Sequence, residues 1–412
     1  MTAPPHTPDP KRPHGTTGEV FLTFLKLGLT SFGGPVAHLG YFRDELVTRR
    51  QWLSDSAYAD LVALCQFLPG PASSQVGFAL GMLRAGWLGA LAAFTAFTLP
   101  SALLLVGFAL TTAAITGPVG SGAIDGLKIV AVAIVAQAVW GMARTLCPDR
   151  ARATIAVAAV ALLAALPGAV GMIGAITAGA LAHLLVKRQA GGPHTATATP
   201  ATGHPTVPVT RPAAFIALAL FAALLILLPL FAGFSQTWAV IDSFYRAGAL
   251  VFGGGHVVLP LLQAEVVQPG WITPDTFLAG YGAAQAVPGP LFTFAAYLGA
   301  SLGPAPNGIL GAALALGAVF LPGFLILIGV LPFWDRFRTL PRAQALMQGA
   351  NAAVVGILGA ALYDPVFTSA INDLRDFTLA LGCFILLMVW KTPPWIVVIL
   401  AAGGGIALAL IG

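Results

Sequence analysis

The chain has 412 residues, of which 58% are hydrophobic and 8% charged, with a formal net charge of +5. Soluble globular chains carry about 25% charged residues, and the mean hydropathy here is +0.88, so a soluble domain is excluded. The positive excess sits on loop Lys and Arg, suits a positive-inside topology and gives no argument for a nucleic-acid partner.

Met1 to Thr17 is polar, rich in Pro and His and lacks a signal-peptide pattern, so residues 1–14 are expected to be a disordered cytoplasmic tail. Apolar stretches follow, among them Trp87 to Thr112, Ile155 to Leu185, Pro212 to Phe231 and Trp395 to Ile411. Each is long enough for the roughly 20 helical residues that cross a bilayer. A β-barrel would show short alternating segments instead. The fold class read from this is an all-α polytopic membrane protein, because a backbone in lipid must satisfy its own hydrogen bonds. Cys65, Cys147 and Cys383 have neither metal nor disulfide spacing and read as small packing residues.

In chain order, the first motif is the Phe32-Gly33-Gly34-Pro35 turn inside an apolar segment, preceded by Lys26. Glycines there allow a ligand or another helix to approach the backbone closely. A basic loop with Arg43, Arg49 and Arg50 comes next, then Trp52-Leu53-Ser54. The segment Ala57 to Leu83 is broken by Pro69-Gly70-Pro71 and is expected to be re-entrant, with Arg84 at its end. Proline removes a backbone donor and stops the preceding turn, and a second proline starts a new helix well. The helix after this break opens with Ala72-Ser73-Ser74-Gln75. Its free N–H groups, hydroxyls and positive dipole end make a ready oxyanion site. Leu99-Pro100, then Asp125 to Lys128, complete the series, and Arg144, Arg150 and Arg152 mark a second basic loop.

The series recurs. Phe252-Gly253-Gly254-Gly255-His256 matches the glycine turn, Arg246 falls on Lys26, and Trp271-Ile272-Thr273 falls on Trp52-Leu53-Ser54. Pro288-Gly289-Pro290 falls on the first break, Leu321-Pro322 on Leu99-Pro100, and Asn351 on Lys128. Five matched blocks in order, with Lys26 and Arg246 counted in the block of the glycine turn, at a nearly constant offset indicate a duplication. The halves are 15–188 and 236–412, separated by a polar linker over 189–211 and a linker helix over 212–235. Half two places Arg336, Arg338 and Arg342 in a loop whose counterpart has no positive residue, so the halves are expected to be inverted.

Ionisable groups inside spans are functional candidates. Lys26 and Arg246 are expected to face a shared anion, with Arg84 nearby; His38 and His256 are candidate proton carriers. Glu45 and Glu265 also coincide under the alignment and read as loop caps or surface groups. Glu occurs only three times, and no P-loop, HExxH or Gly-x-Ser-x-Gly is present, so neither an ATPase nor a hydrolase is supported.

The glycine turn, the stretch through Trp52, Gln66-Phe67-Leu68-Pro69-Gly70-Pro71 and Leu99-Pro100 resemble the characteristic block of the chromate ion transporter family. Their second-half copies resemble its long, two-domain form, and the resemblance covers nearly the whole chain. It implies export of chromate from the bacterial cytoplasm, chromate resistance, an inner (plasma) membrane location and drive from the membrane potential or proton gradient. No cofactor, metal or catalysis is implied. The expected partners are a small oxyanion and the lipid bilayer, with a homodimer as the oligomer considered. Sulfate or another oxyanion is the alternative substrate. A lipid-pyrophosphate phosphatase would need carboxylates beside the breaks, and a scaffold would need no matched polar residues there. Gly255, where half one has Pro35, departs from the symmetry and implies different roles for the halves.

Overall fold

The computed structural model describes residues 15–112, 117–189, 209–334 and 340–411, and among these no strand occurs. The expected tail over 1–14, most of the 189–211 linker, and Arg336 and Arg338 lie outside the described residues. Helix α1 (Thr17–Thr30) starts where the Thr16 hydroxyl accepts from the Glu19 N–H at 3.1 Å. The chain turns at Gly33 and Gly34, both with positive φ, and returns as α2 (Gly34–Phe42) and a π-helical stretch, Arg43–Arg49. Helix α3 (Asp55–Phe67), capped by Ser54, runs to the first Pro-Gly-Pro break. From there α4 (Ala72–Thr112) departs, but Ala85 and Gly86 are non-helical and the chain doubles back, so that Gly81 and Gly89 touch through their backbones.

Gly15 N–H donates to the Arg84 carbonyl at 3.0 Å, Arg84 pairs with Glu19 at 3.1 Å, and its guanidinium lies 5.3 Å from the Trp52 ring. The starts of α1 and α3 and the bend in α4 therefore share one face. Two re-entrant hairpins rise from it, with the glycine turn and the Pro-Gly-Pro break as their tips. The second is the one expected over Ala57 to Leu83; the first is a hairpin that hydropathy does not separate from a span.

Long helices follow: α5 (Gly117–Leu146), α6 (Arg150–Ala165), α7 (Ala169–Gln189) and α8 (Arg211–Phe231). The apolar stretch Ile155 to Leu185 is thus two helices rather than one. Pro167 lacks a donor and Gly168 has φ +90°, and together they end α6 and reverse the chain. Half two repeats the plan. α9 (Gln236–Ala249) leads to the second glycine turn, then α10 (Val258–Val266) and α11 (Pro274–Ala284), which Thr273 caps as Ser54 caps α3. After the second break come α12 (Phe294–Ala300), α13 (Gly308–Val330), α14 (Pro341–Ala361), α15 (Leu374–Met388) and α16 (Pro394–Ile411).

Seven of the described helices are long and apolar enough to cross a membrane. Their outer faces expose large apolar side chains such as Leu103, Ile216, Ile226 and Ile399, as a lipid-facing surface must. The halves interlock through their last helices: α5 packs along α16, and its counterpart α14 packs along α7. Gly122 and Gly126 meet the α16 backbone, and Gly349 meets α7 at Gly179, so small residues set both contacts.

Candidate oxyanion site

Pro-Gly-Pro forces a sharp local turn, and here it aims each re-entrant tip at the other half. Gly70 N–H donates to the Val251 carbonyl at 2.8 Å, and Gly289 N–H donates to the Ser31 carbonyl at 2.9 Å. Ser31 and Val251 are counterparts, each one residue ahead of its Phe-Gly-Gly, so the two bonds are a reciprocal pair. A Cβ on Gly70 would sit 3.0 Å from Gly323 Cα, and one on Gly289 would sit 2.7 Å from Ser101 Oγ; those two residues also correspond. The glycine turns meet as well, since a Cβ on Gly255 would lie 3.0 Å from Pro35 Cγ. Pro69, Gly70, Pro71, Pro288, Gly289 and Pro290 are all buried.

Chemistry at this junction is one-sided. Ser73, Ser74 and Gln75 open α4 and are at most 2% exposed. The Gln75 amide donates to the Pro69 carbonyl at 3.0 Å and across to the Gly323 carbonyl at 2.8 Å. His38, 1% exposed, places Nδ1 3.5 Å from Ser73 Oγ and its ring edge-on to Phe97, with centroids 5.5 Å apart. Ser31 Oγ, His38 Nε2, Ser74 Oγ, Gln75 Oε1 and Thr98 Oγ1 are buried with no protein partner. Buried polar atoms are normally paired, so five orphans on neighbouring half-one segments call for an occupant. In half two the corresponding positions are Val251, Val258, Thr293, Phe294 and Phe320. Thr293 turns its hydroxyl onto the Pro290 carbonyl at 2.7 Å, while Phe292 and Phe320 pack with centroids 5.7 Å apart.

Space exists beside the turns. A Cβ on Gly34 or on Gly254 would meet no atom within 4 Å. Gly33 and Val36 are exposed along α2, whereas α10, its counterpart, is almost wholly buried against α7 and α14. Asn351 presents an unpartnered Oδ1 near Gly253, and His256 bonds the Tyr281 hydroxyl at 2.8 Å. A cleft of about 650 Å³ lies elsewhere, between α6, α7, α10 and α14.

The cations have carboxylate partners. Lys26 sits 3.0 Å from Glu45, which also holds Arg49 and Arg50 at 3.1 and 2.8 Å. Arg246 pairs with Asp242 and lies 3.3 Å from Glu265. Arg84 is on Glu19, and Lys128 lies between Asp125 and Asp275 at 2.7 and 3.2 Å. Glu45 and Glu265 are therefore not surface caps as read from the sequence: each is 8% exposed and compensates the matched cation of its own half. Sequence reasoning passed over Ser31 and Thr98. The available signal was a lone hydroxyl in an apolar helix set against an apolar counterpart.

Comparison with known proteins gives one consistent family. The family model described as "Chromate transporter" matches residues 18–184 and again 238–406. A "Chromate transport protein" of Pseudomonas aeruginosa is 30% identical over 94% of this chain and 90% of its own length. A "Probable chromate transport protein" of Synechococcus elongatus is 28% identical over 93% of each chain. A "Chromate transport protein" of Cupriavidus metallidurans is 27% identical over 97% of this chain and 95% of its own. No solved structure matches the chain.

Proposed function

The chain belongs to the chromate transporter family, and on that premise we propose that it is a secondary transporter that carries chromate out of the cytoplasm and so confers chromate resistance. The observation that carries this reading is the junction of the four hairpin tips. There the N-terminus of α4 opens among the buried hydroxyls of Ser31, Ser74 and Thr98 and the Nε2 of His38, none of which has a protein partner. A tetrahedral dianion requires several donors when it leaves water. Ser73, Ser74, the first N–H groups of α4 and the backbone around Gly33, Gly34, Gly253 and Gly254 supply them. The exposed side of α2 is taken as the entry side, and its buried counterpart α10 as the side closed in this conformation.

In this reading the halves are inverted, and the tips meet from opposite faces. Support comes from the chain's course. From the bend at Arg84, three consecutive helical passes lead to Gly168, whose Cβ position is 2.9 Å from Gln268, near the base of the half-two hairpins. An odd number of passes supports a base on the far face. Inverted repeats with broken helices meeting at mid-membrane are a recurrent transporter plan.

The test is flux of chromate and of sulfate in proteoliposomes under imposed proton and voltage gradients. Gradient-driven chromate movement above that of empty liposomes is expected. Flux of sulfate without chromate would move the assignment to sulfate, and absence of both would end the transport reading.

A further inference from the structure

Among the described residues, the proposed dianion site has no uncommitted fixed charge. A dianion in a low-dielectric junction is stable only beside positive charge. Lys26, Arg84, Arg246 and Lys128, the candidate cations, are all spent on carboxylates. The remaining group at the junction able to become a cation on the polar half is His38. Its Nδ1 faces Ser73 Oγ at 3.5 Å, and its Nε2 is buried with no partner. A neutral imidazole in that position has one nitrogen idle. A doubly protonated one donates from both: Nδ1–H to Ser73 Oγ, Nε2–H to an occupant. Ser31 Oγ, Ser74 Oγ and Thr98 Oγ1 are likewise idle around it.

Resting on the transport reading above, we propose that His38 takes up a proton when the oxyanion binds, so that anion and proton occupy the junction together. The proton comes from the aqueous side and forms a bond to the free imidazole nitrogen; it leaves when the anion leaves. The ionisable groups on the elements packed around α2 are Arg43, Asp44, Glu45 and Arg49 on the π-helical stretch, Asp55, Tyr58, Asp60 and Cys65 on α3, Arg84 on α4, and Glu19 and Lys26 on α1, with Arg43 paired to Asp55 at 2.6 Å. The imidazole's own surroundings are burial, the Ser31 backbone, Ser73 and Phe97, with no charged side chain among them. Glu45 and Glu19 hold their own cations, and Tyr58 donates to the Leu39 carbonyl at 2.6 Å. His256, the other imidazole near the tips, is bonded to Tyr281. Val258 stands where half two would need a second His38, so the device exists once per chain.

Radiolabelled sulfate and chromate binding to the purified full chain, measured from mildly acid to mildly alkaline pH, tests this. Sulfate stays a dianion throughout, so its pH dependence reports on the protein. Wild-type affinity should rise by up to about tenfold per unit fall in pH, the limit for one linked proton. His38→Gln should bind with less than about twofold change per unit. In voltage-clamped liposomes loaded with a pH dye, wild type should move protons with sulfate. A His38→Gln protein with the wild-type pH slope overturns the proposal. If that variant does not assemble, wild-type sulfate flux without proton movement overturns it equally. Wild type that binds neither anion at any pH refutes the transport reading itself, which pH-independent binding does not.

Discussion

Replacing Gly70 by Ala tests whether the halves are joined at their tips. Gly70 has φ +116°, a region that costs a non-glycine residue about 1–3 kcal/mol. The new Cβ would also stand 3.0 Å from Gly323 Cα, backbone of the other half, and relief of that contact breaks the bond to the Val251 carbonyl. That bond contributes about 0.5–1.5 kcal/mol net, so the total loss is roughly 2–4 kcal/mol. Gly34→Ala is the control. Its φ is +79°, but its Cβ would meet nothing within 4 Å, so only the strain of about 1–2 kcal/mol applies. Denaturant titration of the purified protein in detergent, followed by tryptophan fluorescence, reads both. If Gly70→Ala costs no more than Gly34→Ala, the junction contributes nothing to stability and the reasoning fails.

Ser74→Ala should weaken chromate binding about tenfold or more, the cost of a hydrogen bond to a charged group, with the unfolding midpoint unchanged. Thr293→Ala should do the reverse, because its hydroxyl is already spent on the Pro290 carbonyl; paired binding and unfolding measurements check both. Burial alone would raise the Glu45 carboxyl, but Arg50, Lys26 and Arg49 overcome it and hold it at about 2. Its folded value is thus depressed, so its stabilisation is present above the ordinary 4.5 and is lost as pH falls from there towards about 2. Glu45→Gln should remove that acid-side slope in a pH series of unfolding midpoints. In a cysteine-free background, Arg49→Cys and Gln268→Cys should react with an impermeant thiol reagent from opposite sides of the membrane. Labelling from one side would exclude inversion.

The sequence made the helical class, the duplication and both Pro-Gly-Pro breaks legible, since these rest on local backbone chemistry. Proline at 69 and 71 cannot continue a helix wherever it sits. Partnerships were less legible. Lys26 and Arg246 align so well that they suggest a common ligand, but Glu45 and Glu265 align at the same offset and take up those charges within each half. A repeat alignment marks equivalent positions; it does not say whether equivalents meet each other or each meet a local partner. Ser31 and Thr98 were hidden for a related reason. They have no polar counterparts in half two, so a search for matched residues passes over the half where the polarity is concentrated. The first re-entrant hairpin was hidden because α1 and α2 together are as apolar and as long as a span, and only contacts among residues 15–19, 50–52 and 84 reveal the return.

The two bonds that tie Gly70 to Val251 and Gly289 to Ser31 use main-chain atoms only. A seam stitched from peptide groups is indifferent to which side chains flank it, provided the two donors remain glycine. One half can then carry Phe292, Phe294 and Phe320 where the other carries Ser73, Gln75 and Thr98 without breaking either bond. The two main-chain bonds are therefore the same in kind for an apolar half facing a polar one as for two identical halves. Functional specialisation within the chain carries no architectural penalty, and a rigid aromatic wall against a responsive polar one is the arrangement such a seam permits.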